Sequence, residues 1–247
     1  MRRFLIALQF LTILPFNIKE RIEEEDFGRS LVYFPIVGLL LGLFLASVAH
    51  ISASLSPLVR SVLILIAWIV ITGGIHIDAF ADTCDGFYGR RSKEEILKIM
   101  RDSRIGTMGA AGIAILLLFK FAILSSIEPG NLWKILIITA VFARWSQTFA
   151  CATSKYARQE GKAKYFIEHA KKADIFIGAL FTLTLNWFLM GIKGIILFAL
   201  LLATIFLFIQ YAKRKIGGMT GDTIGATSEI AEAAALLFSL ILLNYKI

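Results

Sequence analysis

Asp78, Asp82 and Asp85 stand at i, i+4 and i+7 in the segment GGIHIDAFADTCDGFYGRR. On a helix this spacing puts three carboxylates on one face, where they repel one another unless a cation or a metal-bound diphosphate lies among them. The spacers are Ala79, Phe80, Ala81, Thr83 and Cys84. A solvated acidic face usually mixes in Lys or Ser. Carboxylates on an otherwise apolar segment need a partner. The pattern points to Asp78, Asp82 and Asp85 as ligands of a divalent cation that assists chemistry on phosphate.

A second constellation is KRKIGGMTGDTIGATSEIAEAA. Its glycines read as a flexible loop around Thr220 and Asp222, with backbone N–H groups able to cradle phosphate. Asp222, Glu229 and Glu232 recur at i, i+7 and i+10, one face of a helix that begins early. Glu229 and Glu232 fall in an apolar stretch, where a carboxylate is a functional candidate; the bland alternative is a buried pair with Lys120 or Arg144.

Arginines supply the complementary charge. Arg101, Asp102 and Arg104 crowd the segment RDSRIGTMG, and Arg158 lies in YARQEG. Guanidinium groups bind diphosphate bidentately. The competing reading is a headgroup-facing rim for Arg90, Arg91, Arg101 and Arg104, and a solvated loop for Arg158.

These groups need a scaffold, and composition says which kind. The chain has 247 residues, 57% of them hydrophobic. Its mean hydropathy is +0.75, above the range of soluble domains, and the apolar residues come in long blocks. The expected fold is all-α: a polytopic integral membrane helical bundle of about seven transmembrane helices. Spans are expected near 30–59, 61–77, 105–127, 132–153, 175–191, 194–212 and 224–243. Residues 4–16 read as a short interfacial or re-entrant segment, and Ser92–Arg104 as an amphipathic surface helix capped by Ser92 with Glu95 three residues on. No loop is long enough for a second domain, so residues 1–247 read as one membrane-embedded catalytic domain.

Loop charge sets the orientation. Basic residues crowd 1–30, 78–104, 154–174 and 213–222, and the intervening links are nearly neutral. The positive-inside rule places the N-terminus and the three basic loops, with the Asp-rich site, in the cytoplasm of a cell-membrane protein. The net charge of +8 fits cytoplasmic loops and anionic lipid. Nucleic acid is not an expected partner, because no basic stripe carries interleaved aromatics. Cys84 and Cys151 are too few for a disulfide framework or a zinc site and read as free thiols.

Taken together, ALQFLTILP (7–15), GGIHIDAFADTCDGFYG (73–89), RDSRIGTMG (101–109), YARQEG (156–161) and GDTIGATSE (221–229) resemble the cobalamin synthase family, the adenosylcobinamide-GDP ribazoletransferases. The ordered set spans nearly the whole chain. The resemblance implies a multi-pass membrane enzyme of vitamin B12 biosynthesis that uses Mg²⁺, with Mn²⁺ as a substitute. It would transfer phosphocobinamide from adenosylcobinamide-GDP to the 5′-hydroxyl of α-ribazole, or join it to α-ribazole 5′-phosphate, and release GMP. Within that reaction Asp82 and Asp85, with Asp78, are expected as metal ligands. Asp222 is expected as a further ligand or the general base, with Asp102 as its competitor. Arg101, Arg104 and Arg158 would hold the diphosphate, and Thr220 and Glu229 would complete the substrate site. The lipid bilayer is the expected surrounding, with self-association or association with other cobalamin-assembly enzymes.

Two rivals remain at this point. Asp82-x-x-Asp85-Gly86 also resembles CDP-alcohol phosphotransferases, but their following Gly-x-x-x-Asp-x-x-x-Asp is absent. A transporter would use Glu229, Arg144 and Lys120 as a coupling path, but no internal repeat accompanies them.

Overall fold

The computed structural model describes residues 1–16, 18 and 21–244. Lys19, counted above among the basic residues of 1–30, lies outside them. The described elements are helices: α1 Arg2–Leu11, α2 Glu24–Ser30, α3 Phe34–Ile51, α4 Pro57–Thr72, α5 Ile75–Phe87, α6 Lys93–Ile99, α7 Thr107–Ser126, α8 Pro129–Ala152, α9 Ala163–Glu168, α10 Lys172–Met190, α11 Ile192–Ile216 and α12 Gly221–Asn244. A 3₁₀ turn, Leu31–Tyr33, joins α2 to α3. Among the described residues six helical stretches are long and apolar enough to cross a membrane, or seven when α4 and α5 count together as one bent span.

The bundle is built around α8. Its buried side chains run without a break from Ile135 to Thr148, so it has no lipid-facing stripe. α3, α10 and α12 pack around it. The outer helices expose Phe176, Leu180, Phe188 and Leu207, as lipid-facing surfaces do.

Between α4 and α5 the chain turns by 91°. Gly73 and Gly74 make that turn at φ 63° and 67°, a left-handed conformation that a β-carbon would strain. The turn sends α5 across the bundle against α7 and α12. Gly225 lets α12 come close, since a β-carbon there would stand 2.5 Å from Cβ of Ala79. The site therefore depends on a bend and a close helix crossing.

The N-terminal segment forms the helix α1. Ten residues reach only about 15 Å, half a bilayer core. It buries Ile6, Ala7, Leu8 and Leu11, and Arg2 holds it to Asp26 of α2 at 2.7 Å. The expected helix over Ser92–Arg104 is cut short. Ser92 and Glu95 form the anticipated capping box, but α6 ends at Ile99. Asp102 accepts the backbone N–H of Arg104 at 3.1 Å, a local turn that competes with helix. The last carbonyls of α11 extend to Ile216, a turn beyond expectation, under the basic residues Lys213, Arg214 and Lys215.

The basic loops meet. Lys213 Nζ donates to the carbonyl of Thr153 at 2.7 Å, and Lys215 Nζ to that of Gly89 at 3.3 Å. Phe10 of α1 packs against Phe166 of α9, ring centroids 4.6 Å apart. One end of the bundle thus carries the four basic segments together.

Candidate active site

The three α5 carboxylates share a helix but serve two places. Asp82 faces the negative charges of Asp222, Asp78 and Asp85 and the positive charge of Arg158. Asp85 instead closes on the entry to α7. Its Oδ2 accepts the N–H of Gly106 at 2.7 Å and its Oδ1 that of Gly109 at 2.8 Å. A carboxylate there satisfies otherwise open helix donors and meets the positive end of the helix dipole. Asp85, expected as a metal ligand, is thus placed as a clamp between two helices, with both oxygens engaged.

Asp222 opens α12. Its Oδ2 accepts from Arg158 Nη2 at 2.7 Å and from Thr220 Oγ1 at 3.3 Å. The same Arg158 nitrogen reaches the carbonyl of Met100 at 3.3 Å. What brings YARQEG to α12 is an isolated strand-like bridge between Tyr156 and Met219. Met219 N–H donates to the Lys155 carbonyl and Ala157 N–H to the Met219 carbonyl, each at 2.9 Å.

That bridge corrects one expectation. The glycine-rich segment is pinned rather than flexible, and two of its donors are spent within the protein. Met219 N–H goes to Lys155, and Thr220 N–H goes to Thr223 Oγ1 at 2.8 Å. Thr220 is fully buried and accepts from Thr223 N–H at 3.2 Å. Its hydroxyl orients Asp222 and caps α12.

Asp78, Arg158 and Asp222 line one cavity of about 260 Å³, together with His76, Gln147 and Tyr156. Arg101 and Arg158 share the wall of a neighbouring basic depression with Lys93 and Lys98. Asp85, Asp102 and Arg104 line a third. There Arg104 grips Asp102 through Nε at 3.0 Å and Nη2 at 2.7 Å. These hydrogen bonds pull the Asp102 carboxyl down to about 2, which makes it a weak base near neutral pH.

Glu229 lies elsewhere again. Lys120 Nζ is 2.5 Å from Glu229 Oε2 and 2.5 Å from Glu232 Oε2. Arg144 Nη1 reaches Glu232 Oε1 at 3.0 Å and also bonds Ser228. All four ionic groups are buried. Glu229, expected at the substrate site, sits in a buried ion network, the alternative the sequence offered, because membrane-embedded carboxylates demand compensating charge.

Among the described residues no three His, Cys, Asp or Glu side chains converge into a ready-made metal cage. The donor chemistry nevertheless fits Mg²⁺, which is commonly held by one or two carboxylates and completed by substrate phosphates. The Asp78 and Asp82 carboxylates make no side-chain hydrogen bond or ion pair among the described residues, though Asp82 faces neighbouring charges. That leaves both carboxylates open for that task.

Sequence reasoning passed over the His76–Gln147 pair, 2.7 Å between side-chain nitrogens. The available signal was a polar residue, Gln147, three positions after Arg144 in an apolar span.

Fold and site together define a class: a multi-pass membrane protein with a carboxylate–arginine centre at its basic end. The sequence matches the family described as Cobalamin-5-phosphate synthase over residues 3–240. The chain belongs to that family. A relative in Geotalea daltonii, named adenosylcobinamide-GDP ribazoletransferase, is 38% identical and covers 96% of each chain. Relatives of the same name in Clostridium novyi and Roseiflexus sp. are 38% and 39% identical, covering 100% and 93% of this chain and 98% and 86% of their own. No solved structure matches.

Proposed function

We infer that this chain is a transferase that joins the phosphocobinamide of adenosylcobinamide-GDP to α-ribazole or its 5′-phosphate and releases GMP. The reaction is the one its relatives' names describe. The observation that carries the reading is the meeting of Asp78, Asp222 and Arg158 on one cavity. The family assignment favours this corrin substrate over a CDP-alcohol.

The bond that forms joins a ribose oxygen to the cobinamide-linked phosphorus. The bond that breaks is from that phosphorus to the GMP phosphate, which leaves with the electron pair. A 5-phosphate product, as in the family's description, keeps its 5′-oxygen occupied. With the phosphorylated acceptor, then, a ribose ring hydroxyl attacks rather than the 5′-hydroxyl.

Asp222 is assigned as the general base. Its Oδ2 is held by Arg158 and Thr220, which aims the carboxylate and leaves Oδ1 for the proton. Arg158 offers its remaining donors to the diphosphate, and Arg101 beside it takes the guanylyl end. Asp78 and Asp82 would hold a Mg²⁺ ion, whose charge would offset that on the phosphoryl oxygens. Asp85 sets the α7 entry beside them. The basic end that carries this centre faces the cytoplasm of the cell membrane by the positive-inside rule.

The test is GMP release by purified protein in liposomes supplied with adenosylcobinamide-GDP, α-ribazole or its phosphate, and Mg²⁺. Joined corrin that disappears with EDTA supports the reading. Folded protein that makes none with either acceptor overturns it.

A further inference from the structure

The cavity that meets the charged centre also has an aromatic wall. Phe34 and Phe166 there are buried, and Phe10 closes on both, with ring centroids 6.1 Å and 4.6 Å away. Two buried polar side chains line the same space: His76, 4% exposed, and Gln147, 1% exposed. They bond each other through one atom apiece. His76 Nδ1 and Gln147 Oε1 are left buried without a partner. Either orientation of the amide leaves one donor and one acceptor unpaired. Such groups are costly to bury alone, and both residues line the cavity.

We propose that this aromatic wall is the binding subsite for the aromatic base of the acceptor nucleoside, a benzimidazole. The proposal rests on the transferase reading above and specifies where its acceptor sits. A benzimidazole is flat and mostly apolar and has one unshared ring nitrogen, which accepts a single hydrogen bond. That chemistry matches an aromatic wall with one free donor. Guanine, the other base in the reaction, presents several donors and acceptors at its edge, and three phenylalanines would leave most of them unsatisfied. The geometry also orders the acceptor. With the base among Phe10, Phe34 and Phe166, its ribose points to the end lined by Asp78, Arg158 and Asp222. The unpaired His76–Gln147 donor then holds the ring nitrogen.

The experiment uses the full chain in liposomes and compares two acceptors: α-ribazole 5′-phosphate, and the matching indole nucleotide, in which C–H replaces the unshared ring nitrogen. Wild type is expected to prefer the benzimidazole by roughly tenfold or more in kcat/KM. His76→Phe is expected to raise KM for the benzimidazole acceptor, leave KM for adenosylcobinamide-GDP unchanged, and erase the preference over indole. Phe10→Ala, on a less buried residue, is expected to raise KM for both acceptors alike. Equal use of the two acceptors by wild type overturns the subsite. So does a His76→Phe variant that still discriminates, or one whose KM rises for the corrin instead. Competition by GMP that is lost in Phe10→Ala would assign the cavity to guanine and also overturn it. Absence of all turnover in wild type speaks against the transferase reading itself, and so is told apart from these outcomes.

Discussion

Arg158 and Asp222 lie 64 residues apart in the chain, yet Nη2 and Oδ2 close to 2.7 Å. The pair is partly buried, at 11% and 20% side-chain exposure, so solvent screens it only in part. It ties the segment after α8 to the first turn of α12. It also fixes which carboxylate oxygen remains free.

Asp222→Asn keeps the shape and removes the base. Arg158→Gln removes the positive fork. Each is expected to lower kcat/KM by about 10²–10³-fold, the usual cost of a positioned charged group in a reacting site. Arg158→Lys restores charge without the planar fork and should recover little. Turnover close to wild type in Asp222→Asn, from protein still inserted in liposomes, would remove Asp222 from the mechanism.

Asp102 and Arg104 give a pH prediction. The folded carboxyl lies at about 2, below its ordinary 3.8, through its hydrogen bonds to Arg104. A depressed carboxylate contributes above its unfolded value and loses that contribution as pH falls toward the folded one. The contact is therefore constant from pH 5 to 8 on this reckoning. Asp102→Asn should leave the shape of the pH–rate profile unchanged in that range. A variant that shifts the acidic limb would return Asp102 to the role of base.

Asp85 separates clamping from metal binding. Asp85→Ala frees the N–H groups of Gly106 and Gly109, and loss of such a cap typically costs about 1 kcal/mol. Faster amide hydrogen exchange across 104–110 is the expected signature, measured without Mg²⁺. Unchanged exchange in that segment would count against the clamp.

Lys120 compensates two buried glutamates at once. Lys120→Met strands them and is expected to lower stability by about 3–5 kcal/mol. Adding Glu229→Gln and Glu232→Gln should recover part of the loss, though Arg144 is then left without Glu232. Thermal unfolding in detergent reads both steps. A single variant as stable as wild type would mean that the network carries little of the fold.

Much of the scaffold was legible along the chain. Apolar blocks marked the spans, the Ser92–Glu95 spacing marked the start of α6, and the i, i+4, i+7 aspartates marked a helix that the structure contains. These features are local: hydropathy, capping and helical period act within a few residues. What each charge would find was not local. Asp85 finds Gly106 and Gly109, Arg158 finds Asp222, and Lys120 finds Glu229 at 109 residues' separation. The 91° turn at Gly73–Gly74 and the close crossing of α5 and α12 decide those meetings. Sequence thus determined which segments enter the membrane and which charges needed partners, because transfer and repulsion energies belong to residue types. Tertiary structure alone decided the partners, because a Coulomb or hydrogen-bond energy depends on distances that only helix packing sets.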